Sequence, residues 1–314
     1  MIPARIIHLW ESEELPLLNQ AALANARALH PEFEHILFGR SEMEAFIRDE
    51  FPQFQAPMAS FCQPIQRFDF FRYLAVYRLG GFYFDLDVFL ARNIRPLLEY
   101  QCVFPFEELT INDFLRRNYG MDWEAANYGF GAAPQDPFIG ALIENCVRSL
   151  NEPSWAHQMM QGVPRPIREL VIAPFTTGPG MVSRTLAENP HLAKDVTILF
   201  PEDVCNERTW HQFGNFGIHL QQGAWRSSHG YVRPRLANLW EAWMRRRLLR
   251  ESRARGKSRS LPLTRDVGVQ TARATANVRT PAIEYPLKSM PVVIRMVGAT
   301  KSQRAFRTAA GNDT

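Results

Sequence analysis

Gln66-Arg67-Phe68-Asp69-Phe70-Phe71-Arg72-Tyr73 runs, a short way on, into Gly80-Gly81-Phe82-Tyr83-Phe84-Asp85-Leu86-Asp87, and these two segments decide how the rest is read. Pro64 to Leu79 is predicted as a helix, with Pro64 in its first turn and Gly80-Gly81 ending it. Spacings of three and four residues put Asp69, Arg72 and Tyr73 on one face of that helix. Phe82 to Phe89 is almost wholly aromatic or β-branched apart from its two carboxylates, which predicts a central, buried strand. The period of two along such a strand sets Tyr83, Asp85 and Asp87 on one side and Phe82, Phe84 and Leu86 on the other. Two carboxylates about 6–7 Å apart along a strand repel each other and are costly beside aromatic rings. A divalent cation removes that cost, and hard oxygen ligands with an open position suit Mg²⁺ or Mn²⁺ holding phosphates. Alone, Asp-x-Asp is a common accident and Asp69–Arg72 an ordinary helix ion pair. Their ordered combination with the double glycine is what points to a site.

Outward from this centre, Arg5 to Leu9 reads as a strand and Pro16 to His30 as a helix stopped by Pro31. Glu34 to Phe38 reads as a second strand, and Ser41 to Phe51 as a helix with Ser41 at its N-cap. Strand and helix in alternation indicate an α/β sheet. Downstream lie a Gly/Ala/Pro stretch from Asn127, a helix near Phe138 to Leu150, a proline-containing loop before Thr177 and a late strand from Asp195 to Phe200. Leu236, Leu239, Trp240, Trp243 and Leu248 form one helical face with Arg245, Arg246, Arg247 and Arg250 around it. Past Glu251 the periodicity is lost. The expected organisation is a domain over 1–235, a basic amphipathic helix over 236–251 and a mostly disordered tail over 252–314.

Composition bounds the rest. With 46% hydrophobic and 22% charged residues the chain is globular rather than fibrous or disordered. It lacks an apolar run long enough to cross a bilayer, and its first residues lack the layout of a secretory signal. Cys62, Cys102, Cys146 and Cys205 are scattered without a C-x-x-C pair, which disfavours a disulfide framework or a cysteine zinc site. A cytoplasmic location is the expectation. Charge is divided: residues 1–244 carry 20 Lys+Arg against 28 Asp+Glu, whereas 245–314 carry 16 against 4. An acidic body argues against nucleic acid as a partner, and the basic end suits an anionic membrane surface or solubility.

The D-x-x-R-Y…G-G-x-Y-x-D-x-D arrangement of Asp69, Arg72, Tyr73, Gly80, Gly81, Tyr83, Asp85 and Asp87 resembles the core of the DXD-motif sugar-transferase family. This is the family 32 type of glycosyltransferase, which includes fungal initiating mannosyltransferases and the catalytic domains of clostridial glucosylating toxins. Ile2-Pro3-x-x-Ile6-Ile7-His8-Leu9-Trp10 is similar to its first strand, and Asn127 with Ala132-Ala133-Pro134 and Pro137-Phe138 to its N…A-x-P-x-x-P-F segment. Thr177-Gly178-Pro179 resembles its T-G-P turn, and His219 with Gly223-Ala224-Trp225 its late H…G-S-W element, Ala224 standing where the family has serine.

The resemblance implies a GT-A-like, Rossmann-like single domain with a mixed central sheet, a UDP- or GDP-sugar donor and Mn²⁺ (or Mg²⁺). It implies that Asp85, Asp87 and His219 hold the metal. Asp69, Arg72, Tyr83, Asp85, Asn127, Trp10 and Trp225 would contact the donor, with Trp10 stacking on the base. Asp69, Arg72, Asp85 and Asp87 would carry catalysis. It further implies retaining transfer of a hexose to a glycan, lipid-linked or protein acceptor, in polysaccharide or glycolipid biosynthesis. Separately, the basic helix over 236–251 either brings the enzyme to the inner face of a membrane or packs Trp240 and Trp243 onto the acidic body. Acceptor contacts are expected from the stretch between Phe104 and Asn127 and the loop around Gly162 to Pro166. Outside this context Trp10 reads as core and His219 as a hydrogen-bonded core histidine; His8, Phe71, Tyr73 and Tyr77 read as structural. Two other readings stand beside it, a metal-dependent phosphohydrolase and a catalytically silent sugar-binding protein.

Overall fold

Ile6 and Ile7, adjacent in the first strand, are both fully buried but in different clusters, so the sheet is covered on both faces. In this computed structural model, residues 1–222 are described apart from 13, 111, 162, 164–167, 169–171, 202–203 and 205; beyond them only 239, 242–243, 246–247, 250 and 270–271 are. The strands are β1 (Arg5–Leu9), β2 (Glu34–Phe38), β3 (Gly81–Phe84), β4 (Val88–Leu90), β5 (Cys102–Leu109), β6 (Trp123–Ala125), β7 (Gly129–Ala132), β8 (Val196–Leu199), β9 (Gln212–Phe213), β10 (Gly217–His219) and β11 (Gln270–Thr271). The large sheet runs β11-β8-β5-β7-β3-β1-β2 with β6 paired to β5, and β4-β10-β9 form a smaller antiparallel sheet. The fold is α/β with a mixed central sheet, as expected.

Strand direction places the site. β1 is parallel to β2 and β3, β7 is antiparallel to β3 and β5, and β8 is parallel to β5. The carboxyl ends of β1, β2, β3, β5 and β8 therefore share one edge with the entry to β7. The chain leaves β1 for β2 on one side and later returns to β3 on the other. The switch point thus falls between Trp10, just past β1, and Asp85, just past β3, where open α/β sheets form their binding crevice.

The helix Pro64–Leu79 matches its predicted bounds. Gln63 and Gln66 cap its start reciprocally, and Gly80 closes it at φ +63°. Phe70, Phe71, Tyr73, Leu74, Ala75 and Val76 are fully buried, so this helix lies deep in the main core. Gly81 follows at φ +106°, where a Cβ would stand 2.8 Å from the carbonyl oxygen of Arg5. Only glycine lets the chain turn from the helix into a strand lying directly against β1.

Several expectations are corrected. The predicted strand over Phe82 to Phe89 is broken: β3 ends at Phe84, and Val88 N–H donates to the Asp85 carbonyl at 3.0 Å, closing a turn. Asp85 N–H turns to the Tyr128 carbonyl, and β4 leaves for the smaller sheet, where it pairs with β10. The two aspartates are therefore presented by a turn and not by alternation along a strand. Ser41 is not an N-cap. The helix is Arg40–Glu50, with extended Gly39 at the cap position, and the Glu42 carboxylate folds into the space a Gly39 side chain would need. The helix expected over Pro16 to His30 is Leu17–Leu29, and that near Phe138 to Leu150 is Pro137–Asn151. The helix expected over 236–251 and the tail expected over 252–314 lie outside the described residues except at eight positions. Of these, 239, 242–243, 246–247 and 250 are helical, with Leu239 and Trp243 exposed, and β11 extends the sheet edge.

Gly81→Ala should destabilise the protein by about 2 kcal/mol or more, because it adds left-handed strain to a backbone contact that cannot move aside. Urea unfolding checks this, and a loss under about 0.5 kcal/mol would contradict the assigned backbone.

Candidate active site

Asp69, Arg72 and Tyr73 stand on consecutive turns of the 64–79 helix, as the spacing predicts, and face the carboxyl edge of the sheet. Arg72 retains 3% of its surface. Its Nη2 lies 3.0 Å from Asp69 Oδ1 and its Nη1 3.2 Å from Asp85 Oδ1, while Nη1 also donates to the Asn127 carbonyl at 2.7 Å. The guanidinium carbon sits 4.7 Å from the centre of the Tyr83 ring, and the Tyr83 hydroxyl donates to Asp85 Oδ1. Nε has no hydrogen-bond partner, and a bound polar group would satisfy it.

Asp69 is held from two more directions. Asn127 Nδ2 donates to its Oδ1 at 3.0 Å, and Thr177 Oγ1 to its Oδ2 at 3.0 Å. Tyr73 ties the same elements together, donating to the Thr177 carbonyl at 2.6 Å and accepting from Asn127 Nδ2 at 3.0 Å. One buried cation thus joins a helix, the end of β3 and the segment before β7, while Thr177 draws in the turn that starts the helix Pro179–Glu188. Burial pushes Asp69 up to about 6, against the pull of Arg72, Thr177 and Asn127 and with a further push from Asp85.

Asp85 and Asp87 flank the turn after β3, and β10 brings His219 to them through its pairing with β4. One ligand atom from each of these three residues lies within 4.8 Å of the others. His219 Nε2 donates to Asp87 Oδ1 at 3.2 Å, and the Gln222 backbone N–H donates to Asp87 Oδ2 at 2.9 Å. Burial raises the Asp87 carboxyl, but these bonds and the His219 charge outweigh it and hold the group below its usual range. Asp85 is raised, first by burial and then by Asp87, with Arg72 opposing. Burial alone would depress His219, yet Asp87, Asp85 and Glu107 raise it. Two carboxylates and an imidazole, one carboxylate strained by desolvation and by its neighbour, make a donor set suited to a divalent cation. The residues fit the metal expected for them.

The remaining predicted residues are placed as follows. Trp10 is half-buried just past β1, its indole N–H donating to the Glu14 carbonyl at 2.8 Å. Trp225 and Ala224 lie outside the described residues. His8 is structural, buried with Nδ1 bonded to the Phe84 carbonyl. Thr177, quoted from the sequence only as part of a turn, is a direct partner of Asp69. Gln222 and Tyr128, the latter stacked on His219 with ring centres 4.3 Å apart, carried no sequence signal.

Residues 16–104 match the family described as glycosyltransferase sugar-binding region containing DXD motif. The chain is 36% identical over 99 residues to inositol phosphoceramide mannosyltransferase 3 of Schizosaccharomyces pombe, covering 32% of this chain and 28% of that protein. It is 30% identical over 146 residues to inositol phosphoceramide mannosyltransferase 1 of the same yeast, covering 45% and 42%. Against mannosyl phosphorylinositol ceramide synthase SUR1 of Saccharomyces cerevisiae it is 28% identical, covering 44% and 33%. The chain thus spans less than half the length of each of these relatives. Among solved structures, the PaToxG glycosyltransferase aligns with a TM-score of 0.42 at 13% identity over 60% of this chain and 70% of that one. The UDP-bound glycosyltransferase domain of the YGT toxin aligns with a TM-score of 0.36 at 8% identity, over 63% and 79%. The resemblance to the DXD family is borne out by the sequence match over 16–104; the fold rests on the strand order above.

The raised Asp69 carboxyl has a signed consequence. Its folded-state value lies above the ordinary 3.8, so between about 6 and 4 the native protein keeps a proton that the unfolded chain releases. This group's contribution to stability therefore grows as pH falls through 6. Compared with Asp69→Asn, the metal-free wild type should gain about 1 kcal/mol between roughly pH 7 and pH 5, read from urea unfolding of both proteins. A difference that is flat, or that shrinks on acidification, would contradict the assignment.

Proposed function

We propose that the chain is a divalent-metal-dependent, retaining glycosyltransferase of GT-A-like architecture that moves a hexose from a nucleoside-diphosphate sugar to a hydroxyl acceptor. One observation carries the reading: the buried Asp69–Arg72–Asp85 network adjoins the Asp85–Asp87–His219 group at the switch point of the sheet. The sequence match over 16–104 supports it. The relatives' names favour mannose as the sugar and a lipid-linked acceptor.

In the proposed reaction the bond from the anomeric carbon to the diphosphate oxygen breaks and a bond from the acceptor oxygen forms. The acceptor's proton passes to the departing diphosphate, so no covalent nucleophile from the protein is needed for front-face retention. Asp85, Asp87 and His219 would hold Mn²⁺ or Mg²⁺, which when bound neutralises charge on the diphosphate. Arg72, locked between two carboxylates, supplies a fixed positive charge on the leaving-group side without reorganising during the reaction. Asp69 holds Arg72 in place and sets a carboxylate near the cationic sugar of an oxocarbenium-like transition state. Asn127, Thr177 and Tyr73 fix the Asp69 carboxylate so that its orientation does not depend on bound donor.

Asp87→Asn tests the metal role. The amide keeps the size of the side chain but removes a formal charge from the metal group, so Mn²⁺-dependent transfer should fall by roughly 100-fold with the fold retained. The assay uses UDP- and GDP-hexoses with Mn²⁺ and vesicles containing inositol phosphoceramide, with product and released nucleotide both counted. Near wild-type turnover at saturating donor would sink the metal assignment.

A further inference from the structure

Beside the metal group lies a second polar cluster, Glu107, Tyr128 and His211, which the reaction above leaves unused. Glu107 sits in β5 where the pairing with β6 shifts register, from Phe106 opposite Ala125 to Glu108 opposite Glu124. Such a bulge re-aims one side chain, and bulges gather next to active sites. His211 holds a left-handed backbone at φ +59°, unusual for a residue with a side chain, and its carbonyl accepts the His219 N–H at 2.8 Å. Its Nδ1 lies 3.6 Å from Glu107 Oε1, too far for a hydrogen bond. Tyr128 is bound to the metal group twice: its ring stacks on His219 and its carbonyl accepts the Asp85 N–H at 2.7 Å. Glu107 is close enough that its charge adds to burial in raising the Tyr128 phenol.

Tyr128 and His211 are incompletely satisfied. The Tyr128 hydroxyl, on a residue only 3% exposed, has no hydrogen-bond partner, and neither does His211 Nδ1. Two such atoms beside one carboxylate are a standing cost to the fold, of the kind tolerated where a ligand or water completes the set. The chemistry of the set narrows the ligand. The phenol and the imidazole can each donate or accept, and they stand beside a carboxylate. A hydroxyl of a sugar or polyol, which donates and accepts at once, fits this mixture.

We infer that Glu107, Tyr128 and His211 form the subsite that binds the hydroxyls of the acceptor beside the transferring sugar. The inference rests on the transferase reading above and gives that site its acceptor side. Glu107 accepts a hydrogen bond from the acceptor and does not remove its proton, which leaves with the diphosphate. The subsite then governs which acceptor is used, and the Asp85–Asp87–His219 group governs the donor.

Tyr128→Phe and Glu107→Gln in the full chain test this, with Mn²⁺, GDP-mannose and inositol phosphoceramide in mixed micelles as probes. Nucleotide release is followed as each substrate is varied, and thermal midpoints are recorded for each protein. Tyr128→Phe should have a midpoint equal to or above wild type, because it deletes a buried hydroxyl that has no partner. Both variants should keep the donor KM within about twofold and raise the acceptor KM by about tenfold or more. An unchanged acceptor KM in both variants overturns the inference. So does a parallel rise in donor KM, which would make the cluster a support for His219. Wild type whose nucleotide release the acceptor does not change also overturns it, leaving the donor reading intact. Wild type that releases no nucleotide from GDP-mannose or any other UDP- or GDP-hexose overturns the transferase reading, and this inference with it.

Discussion

A single buried guanidinium, Arg72, organises this molecule's working edge. It stands 3.0 Å from Asp69 and 3.2 Å from Asp85 and donates to the carbonyl of Asn127. Removing a charge from such a buried set leaves its partner uncompensated, which is far more costly than losing a surface ion pair. Each contact reaches a different part of the chain. Asp69 belongs to the same helix, Asp85 ends β3, Asn127 leads into β7, and Thr177 joins through Asp69. The position of the helix against the sheet and the direction of the turn after β3 are therefore two aspects of one electrostatic arrangement.

The carboxylate–imidazole group of Asp85, Asp87 and His219 inherits its geometry from this arrangement. Asp85 belongs to both sets, tied on one side to Arg72 and Tyr83 and on the other placed within reach of Asp87 and His219. The smaller sheet completes the group, since β10 is brought beside Asp87 by pairing with β4. Two separate pieces of hydrogen-bonded backbone thus converge on one turn. The acceptor subsite we infer uses the same backbone again, through the Tyr128 carbonyl at Asp85 and the His211 carbonyl at His219.

Much of this is legible in the sequence where punctuation is strong. Pro64 and Gly80 bound the central helix to the residue, and the i, i+3 spacing of Asp69 and Arg72 forms the expected pair. The strand after the double glycine is read too long because Leu86 and Val88 continue an apolar pattern across a turn. What breaks the strand is the bond from Val88 to the Asp85 carbonyl together with a change of partner to β10, more than a hundred residues away. No local pattern encodes that pairing. For the same reason His219 is indistinguishable from a core histidine until the family resemblance is considered. Thr177 is legible as a turn residue but not as a partner of Asp69, since the two are separated by 108 positions. Glu107 and His211 are marked by a bulge and a backbone angle, which appear only once the strands are paired.

The central claim is that the Arg72 network and the carboxylate–imidazole group together form one metal-dependent nucleotide-sugar site. Thermal unfolding of the intact chain against a panel of UDP- and GDP-sugars, each with Mn²⁺ and with EDTA, tests it most directly. Ligand that binds only the native state at about a hundred times its Kd adds roughly 2.7 kcal/mol. At least one donor should therefore raise the midpoint by about 5 °C with Mn²⁺ and leave it unmoved with EDTA. A midpoint that no nucleotide sugar shifts in the presence of Mn²⁺, or that shifts equally in EDTA, would contradict the account.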